Sequence, residues 1–265
     1  MGVTAPPFPT LRADRSLPRS APLAVTSMLL LGGGVLVGSS LQAAARVRRM
    51  RARGREVPAL DHELALPGRE PVRRVAVIGD SAAAGHGLPD AELAWSRIVA
   101  RALHRHDGRA TSVHNAAVDG ARIGDVLAHQ LRIVEGAEVV VVNVGVNDAI
   151  HGHRPARVAR EMRTLLTRIR ESAAPDAAIV LLSAPDLSVA PGLPAILRPP
   201  LGLVCRATAR VQVRVARACD VEVIRLPWQV LPPEVFGADG FHPGAVGHRR
   251  LAAAIIERLL GAAWV

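Results

Sequence analysis

The 265-residue sequence contains no lysine and no tyrosine, and aromatic residues make up only 2% of it. Proteins that bind single-stranded nucleic acid stack the bases on aromatic side chains, so this scarcity argues against that class. The formal net charge of +10 comes from arginine, and ten arginines face only five acidic residues up to Glu70. Half of the net charge therefore lies in about a quarter of the chain, and no nucleic-acid partner is expected.

Cysteine is also scarce, since Cys205 and Cys219 are the only two. If both lie on one continuous helix they are about 21 Å apart, which is too far for a disulfide. The sequence has no zinc-binding pattern of cysteines and histidines either. We predict that both cysteines are small buried hydrophobic residues, and we expect no metal and no other cofactor.

Charged residues are absent between Arg19 and Arg46, where an apolar run contains three consecutive glycines. The run is long enough to cross about 30 Å of hydrocarbon as a helix, so residues 20–45 are predicted to be a transmembrane signal-anchor. A cleaved signal peptide and a buried core helix are the alternatives. Residues 1–19, which are rich in proline, arginine and serine, are predicted to be a disordered tail.

Six arginines follow the predicted span within residues 46–55, against three before it. By the positive-inside rule, the protein is expected to be a single-pass protein of the cell membrane with its C-terminal side in the cytoplasm. The arginine run is also expected to contact anionic lipid headgroups. Residues 46–71 are interpreted as a basic linker because prolines and glycine recur in their second half, which leaves 72–265 as the folded domain.

Strand-like and helix-like segments alternate from residue 72 onward, which is typical of a parallel sheet with helices on both faces. The predicted fold class is α/β, a three-layer α/β/α sandwich with a flavodoxin-like parallel five-stranded sheet. The segment 138–144 is predicted to be its central strand because it is apolar on both faces. The strands are predicted at 72–78, 111–116, 138–144, 177–183 and 221–226, and the helices at 91–106, 120–134, 155–172, 201–218 and 244–260.

In such a sheet, functional sites form beyond the C-terminal ends of the strands. Ser81 follows the first predicted strand, while Asp239 and His242 lie in the loop before the last helix. Acyl transfer from an ester needs a nucleophile, a base and a group that orients the base. We predict that Ser81 is the nucleophile, His242 the general base and Asp239 the residue that orients the imidazole.

The reaction also needs hydrogen-bond donors for the developing oxyanion. We predict three donors, which are the backbone N–H of Ser81, the backbone N–H of Gly120 and the side-chain amide of Asn147. Gly124 is the alternative to Gly120 as the second donor. Gly120 is preferred because it directly follows the loop after the second strand. Asp148, beside Asn147, is expected to order this loop rather than to react.

Four sequence blocks carry these residues, and together they resemble the four blocks of the SGNH, or GDSL-type, esterase and lipase superfamily. The resemblance covers residue 72 to the C-terminus and implies a Ser-His-Asp hydrolase on the flavodoxin-like sandwich, acting on carboxylic esters. The Gly-x-Ser-x-Gly elbow of α/β-hydrolases is absent. The blocks are Gly79-Asp80-Ser81, Gly120, Gly145-Val146-Asn147-Asp148 and Asp239-Gly240-Phe241-His242-Pro243.

The preferred function is a serine esterase or lipase-type hydrolase that cleaves a small-molecule or lipid-like acyl ester through an acyl-enzyme. An acyltransferase that passes the same acyl group to a sugar or another hydroxyl is the first alternative, because both reactions use one triad. An inactive binding module with this fold is the second alternative.

Several residues have less specific interpretations. Asp80 is expected to be a turn or capping residue as readily as a reactive group. The proline-rich apolar stretch 188–200 predicts either a wall or lid for the acyl group or a loop packed over its own helices. Four other histidines have no partner visible in the sequence and are expected at the surface, namely His86, His104, His106 and His248. The pair His151 and His153 is also expected to be exposed in a loop, with metal binding as the alternative.

Overall fold

The structure is a computed structural model and describes residues 63–226 and 232–261. The predicted tail 1–19, the predicted transmembrane segment 20–45 and residues 46–62 of the predicted linker lie outside these ranges. Among the residues that are described, no helix has the length and apolar character needed to cross a membrane.

The strands form one six-stranded mixed sheet in the order β1-β3-β2-β4-β5-β6. Strands β2 to β6 run parallel to one another and correspond to the five predicted strands. The prediction of five strands is wrong by one, because β1 pairs antiparallel with β3 at the edge. The strands are β1 Glu63–Leu66, β2 Arg69–Gly79, β3 Arg109–Asn115, β4 Val139–Asn143, β5 Ala178–Leu182 and β6 Glu222–Ile224.

The additional strand β1 lies in sequence that was interpreted as linker. Its residues Leu64 and Leu66 alternate with more exposed residues and pack against the apolar core on one face of the sheet. Pro67 and Gly68 then connect β1 to β2. A side chain at Gly68 would bring its Cβ within 2.6 Å of the Gly108 carbonyl oxygen, so the connection needs glycine. The proline and glycine that indicated a linker thus mark a close approach inside the domain.

Helices cover both faces of the sheet, as predicted. Helices α2 and α7 pack on one face, and α3, α5 and α6 pack on the other. The predicted helix 120–134 is instead divided into α3 and a 3₁₀ turn, Leu131–Val134. The helices are α1 Ser81–Ala84, α2 Trp95–Asp107, α3 Ile123–His129, α4 Val146–Ile150, α5 Pro155–Ser172, α6 Arg198–Ala218 and α7 Ala245–Leu260.

Strand β4 lies between β2 and β5, and all five of its residues are buried. Val140 and Val142 contact one helical layer, whereas Val139 and Val141 contact the other. Burying a valine side chain contributes roughly 1.5 kcal/mol or more. This two-sided burial explains the uninterrupted valine run and places the loop after β4 near the middle of the sheet's C-terminal edge.

Both cysteines belong to α6 or its end. Cys205 is fully buried and Cys219, at the C-terminal cap, is partly exposed, and both are free thiols. Burial raises the pKa of the Cys205 thiol to about 11. That thiol therefore stays protonated at neutral pH and behaves as the predicted small hydrophobic residue.

Candidate active site

The turn from β2 into α1 presents Ser81 at the C-terminal edge of the sheet. Gly79 ends β2 with φ of +150°, and a Cβ there would lie 1.9 Å from the Asn143 carbonyl oxygen. Asp80 caps α1, since its Oδ1 accepts a hydrogen bond from the Ala82 backbone N–H at 3.3 Å. Glycine thus lets the chain turn sharply against β4, and Ser81 begins the short helix that follows.

Ser81, His242 and Asp239 form a continuous series of hydrogen bonds. Ser81 Oγ lies 2.9 Å from His242 Nε2, although the two residues are 161 positions apart in the chain. His242 Nδ1 lies 2.5 Å from Asp239 Oδ2. These separations are within the range needed for a hydroxyl proton to pass to an imidazole that a carboxylate holds in place. The structure therefore brings the three residues predicted as the triad into direct contact.

Asp239 is fixed by its own loop as well as by His242. Its Oδ1 accepts hydrogen bonds from the backbone N–H groups of Phe241, at 2.9 Å, and of His242, at 3.0 Å. Burial alone would raise the pKa of Asp239, but the hydrogen bond and charge of His242 and the two backbone donors outweigh it, so the pKa is lowered. The carboxylate is therefore ionised at neutral pH and can stabilise a protonated His242.

The apolar stretch 188–200 supports the loop that carries Asp239 and His242. The Gly192 N–H donates to the Gly240 carbonyl at 2.7 Å. A Cβ at Gly192 would lie 2.2 Å from the Asp239 carbonyl oxygen, so the two backbones touch directly. Val189 and Ala190 also line the cavity beside Ser81. The stretch thus forms part of a cavity wall and also packs on a neighbouring loop, while its role as a wall or lid for an acyl group stays a prediction.

The predicted oxyanion donors belong to three elements, with Ser81 at the start of α1, Gly120 in a turn before α3 and Asn147 in α4. Gly120 occupies a turn with φ of +78°, and this turn is closed by the hydrogen bond from Ala121 N–H to Val118 O at 3.1 Å. The Asn147 side-chain amide donates to Ala121 O at 3.0 Å, which joins α4 to the Gly120 turn. A Cβ at Gly120 meets no described atom within 4 Å, so the backbone angle, rather than crowding, favours glycine here. Gly124 lies within α3 and has no such requirement.

Two buried glutamines, which belong to no motif of the sequence, hold the strand ends in place. Gln130 accepts from the Gly79 N–H at 2.7 Å and donates to the Gly79 carbonyl at 2.9 Å. Gln212 donates to the Val144 carbonyl at 2.7 Å and accepts from the Ala184 N–H at 2.7 Å. Both side chains are almost completely buried. The sequence signal for these two residues is a glutamine at a helical position whose neighbours on the same face are apolar.

Asp148 orders the loop after β4, as expected, and does so while fully buried. Its Oδ2 accepts from the Ile123 N–H at 3.1 Å, and its Oδ1 lies 2.9 Å from His153 Nδ1. Burial raises the pKa of Asp148 against the effects of these two partners. His153 is therefore not the exposed loop residue that was predicted, because its ring packs inward against this carboxylate.

His86 was expected at the surface but packs against His242. The two ring centroids are 4.2 Å apart, and His86 Nδ1 lies 3.5 Å from Asp119 Oδ2. The His86 N–H donates to the Ser81 carbonyl at 2.9 Å, which positions the residue beside the nucleophile. Burial, followed by the charge of His242, lowers the pKa of His86.

His248 was also expected at the surface and is completely buried in α7. Its Nδ1 accepts a hydrogen bond from the Trp95 backbone N–H at 3.2 Å, so it links α7 to the start of α2. Burial, together with the charge of His242, lowers the pKa of His248 to about 4. The imidazole is therefore neutral at physiological pH.

Asp80 is more deeply buried than a turn residue usually is. Its Oδ2 has no hydrogen-bond partner among the described residues. Burial raises its pKa to about 7, against the opposing effects of the Ala82 N–H and the charge of His242. The helix-cap interpretation of Asp80 agrees with its contacts.

An apolar cavity of about 320 Å³ opens beside Ser81, Asn147 and His242. Its size is at the lower end of the range for small-molecule sites. Its apolar lining includes Ala82, Val146, Pro185, Leu187, Val189, Ala190, Ile224, Leu226, Val235, Phe236, Phe241, Pro243, Leu251 and Ala254.

A serine, a histidine and an aspartate joined by hydrogen bonds, beside an apolar cavity, form the arrangement found in serine hydrolases. The profile of the GDSL-like lipase/acylhydrolase family matches residues 77–250. The chain belongs to this family, which confirms the resemblance to the SGNH superfamily.

Individual relatives agree with this assignment. The chain is 29% identical over 182 residues to a GDSL-like esterase of Mycobacterium tuberculosis, which covers 64% of the chain and 56% of that protein. It is 29% identical over 103 residues to an arylesterase of Vibrio mimicus, which covers 38% of the chain and 50% of that protein. The matched regions thus span about half the length of both relatives.

The fold also matches solved structures. An acetyl-xylooligosaccharide esterase of Geobacillus stearothermophilus superposes with a TM-score of 0.58 at 18% sequence identity. The superposition covers 75% of this chain and 97% of that one. At this level of identity, the similarity concerns the fold alone.

Proposed function

We propose that this protein is a serine esterase that hydrolyses carboxylic esters through an acyl-enzyme on Ser81. The observation that carries the proposal is the uninterrupted contact from Ser81 Oγ through His242 to Asp239, with separations of 2.9 and 2.5 Å. Membership of the acylhydrolase family supports it independently.

In the first half of the reaction, Ser81 Oγ attacks the ester carbonyl carbon while His242 Nε2 takes the hydroxyl proton. Asp239 stabilises the resulting imidazolium. The oxyanion is bound by the Ser81 N–H, the Gly120 N–H and the Asn147 amide, each donor contributing about 10²–10³ in turnover. When the tetrahedral intermediate collapses, the alcohol leaves with the proton from His242.

In the second half, His242 removes a proton from water as the water attacks the acyl-enzyme. A second tetrahedral intermediate collapses, the acid is released and the proton returns to Ser81. The triad thus ends in its starting protonation state. No redox step and no additional reactant are needed.

The cavity favours a substrate whose acyl or aryl group is apolar and of modest size. About 320 Å³ of space bounded mainly by aliphatic and phenyl side chains binds such a group by removing its surface from water. The arylesterase relative supports an aromatic component in the substrate. We expect esters of short or medium acyl chains to be better substrates than those of long-chain lipids.

A panel of p-nitrophenyl esters from acetate to palmitate tests both proposals. We expect hydrolysis that peaks at short or medium chain length and disappears in the Ser81→Ala variant. Hydrolysis that persists in Ser81→Ala contradicts the mechanism. A rate that increases up to palmitate contradicts the proposed size of the acyl site without affecting the role of Ser81.

The two alternatives from the sequence are distinguished by simple measurements. Product analysis with sugars and other alcohols present identifies an acyltransferase by the new ester that it forms. An inactive binding module hydrolyses no ester of the panel and does not react with an activated phosphonate. No contact among the described residues favours an alcohol acceptor over water, so we propose hydrolysis.

We further propose that residues 20–45 anchor the enzyme in the cell membrane with the catalytic domain on the cytoplasmic side. The uncharged run and the six arginines that follow it support this orientation. A C-terminal reporter fusion that is active only in the cytoplasm tests the topology. Signal from a reporter that is active only outside the cytoplasm contradicts it.

A further inference from the structure

The proposed mechanism does not use His86, although its imidazole packs against that of His242. His86 and His242 have ring centroids 4.2 Å apart and planes inclined by 44°. The Nδ1 atom of each ring faces a carboxylate, Asp119 at 3.5 Å for His86 and Asp239 at 2.5 Å for His242. Esterase chemistry requires only one of these two pairs.

Paired imidazoles with carboxylates behind them are an arrangement that binds transition-metal ions. A carboxylate behind a histidine ligand usually orients its ring, and Asp119, at 3.5 Å from His86 Nδ1, is placed to do so. Asp239 Oδ2 instead lies close enough to His242 Nδ1 to share an ion with it. Each of His86, Asp239 and His242 offers a ligating atom, and these atoms lie within 4.8 Å of one another. Both histidine side chains are 14% exposed, so solvent reaches the cluster.

We propose that His86, His242 and Asp239 form a Zn²⁺ site and that an ion bound there switches off the esterase. The inhibitory part of this inference rests on the proposed function. An ion that Asp239 Oδ2 also ligates takes the Nδ1 lone pair of His242, and the ring proton then sits on Nε2, facing Ser81 Oγ. In this tautomer His242 has no free lone pair with which to accept the Ser81 proton. A bound ion therefore blocks the first step of the reaction.

The donor set selects the kind of ion. Two imidazoles and one carboxylate suit Zn²⁺, which takes four ligands and leaves one position for water. Mg²⁺ and Ca²⁺ prefer six or more oxygen ligands and gain little from imidazole. Zn²⁺ is therefore expected to inhibit at concentrations at which Mg²⁺ and Ca²⁺ have no effect.

A second cluster provides an internal control. Asp148, His153 and Glu161 also place their ligating atoms within 4.8 Å of one another. This cluster contains only one histidine, and Asp148 is already bound to the Ile123 N–H and His153. The cluster includes neither ring nitrogen of His242, so an ion there leaves the tautomer of that base unchanged.

The first experiment measures inhibition in the full chain after treatment with EDTA. We expect Zn²⁺ to inhibit ester hydrolysis reversibly, with EDTA restoring the rate. His86→Phe keeps an aromatic ring against His242 but removes the ligand, so its half-inhibitory Zn²⁺ concentration should rise at least tenfold. Each variant is compared with its own metal-free rate. His153→Gln should be inhibited like the parent protein.

The second experiment measures Zn²⁺ binding without substrate by isothermal titration calorimetry of Ser81→Ala. We expect His86→Phe and His242→Ala, each combined with Ser81→Ala, to lose the same single binding site. Unchanged binding in both variants, or loss of inhibition in His153→Gln rather than His86→Phe, overturns the proposal. Because calorimetry needs no ester hydrolysis, failure of the metal site is distinguishable from failure of the proposed function.

Discussion

The two halves of the candidate site are built in different ways. Ser81 follows β2, a strand in the interior of the sheet, and Gln130 clamps the residue at the strand's end through two hydrogen bonds. Asp239 and His242 lie in a loop between a 3₁₀ turn and α7, and that loop is held by contacts with another loop through Gly192. The nucleophile is thus fixed by the sheet, whereas the base is fixed by irregular backbone.

The two halves of the site should therefore respond differently to nearby substitutions. A change near Ser81 has to disturb a sheet with helices on both faces before it moves the hydroxyl. A change near Gly192 acts directly on the loop that sets the distance from His242 to Ser81. Matched substitutions near Ser81 and near Gly192 therefore test this difference.

The largest expected effect comes from substituting residues of the predicted triad. Ser81→Ala should reduce kcat/KM by about 10⁴-fold or more, and Asp239→Asn should reduce it by about 10³–10⁴-fold because the wrong tautomer of His242 is favoured. Steady-state kinetics on the preferred p-nitrophenyl ester measure both. Unfolding temperatures close to that of the parent protein are the control, and full activity in Asp239→Asn contradicts the assignment of Asp239.

The next largest effect tests the loop that carries the base. In Gly192→Ala the new Cβ would approach the Asp239 carbonyl oxygen to 2.2 Å, so the loop has to shift. Misplacement of a catalytic group by about 1 Å costs up to 10²-fold, and we expect a loss of about that size in kcat. Gly124→Ala is the matched control, because its Cβ meets no described atom within 4 Å. Equal activity of the two variants contradicts the role of the loop contact.

A third prediction concerns the pH dependence of stability through His248. Its pKa is lowered to about 4 in the folded state from 6.5. The neutral form is therefore favoured by folding, and its contribution is complete above pH 6.5 and lost as the pH falls towards 4. The loss is on the order of 3 kcal/mol.

His248→Asn keeps an acceptor for the Trp95 N–H and removes the titrating group. Urea unfolding between pH 4 and 7 should show a flatter free energy of unfolding for this variant than for the parent protein. Identical slopes in the two proteins contradict the assignment. The ester hydrolysis rate at pH 8 should change little, because His248 contacts none of the three triad residues through hydrogen bonds.

The smallest expected effects come from substituting Gln130 and Gln212, the two buried glutamines that bind the strand ends. Gln130→Leu removes the partner of the buried Gly79 N–H, whereas the Gly79 carbonyl still accepts from the Val118 N–H. Gln212→Leu removes the partners of both the Val144 carbonyl and the Ala184 N–H, and each unsatisfied group should cost about 1–3 kcal/mol. Gln130→Leu should also lower kcat, since it frees the residue two positions before Ser81. Chemical denaturation together with kinetics measures both effects. Thr164→Ala, which removes an exposed side-chain hydrogen bond in α5, should change stability by less than about 0.5 kcal/mol.

Sequence predicted the sheet-supported half of the site better than the loop-supported half. Five parallel strands and the position of Ser81 follow from local apolar runs, and the bounds of α5 were predicted to the residue. β1 was missed because proline and glycine in a tight connection are also typical of linkers. Local composition carries no information about which distant segment a turn will pack against.

The same limit explains the errors at the site. Asp239 and His242 could be paired from their spacing, but their support by Gly192 depends on a contact between segments that are far apart in the chain. His86 and His248 were placed at the surface because a lone histidine has no visible partner in sequence. Their burial comes from how α1 and α7 pack around the site, which is a property of the tertiary structure.

The most direct test of Ser81 as the nucleophile activated by His242 is to locate the adduct formed by a fluorophosphonate probe on the full chain by peptide mass spectrometry. We expect a single stoichiometric adduct on Ser81, absent in Ser81→Ala and formed far more slowly in His242→Ala. Stoichiometric labelling at another residue, or labelling of Ser81 at an unchanged rate without His242, would contradict it.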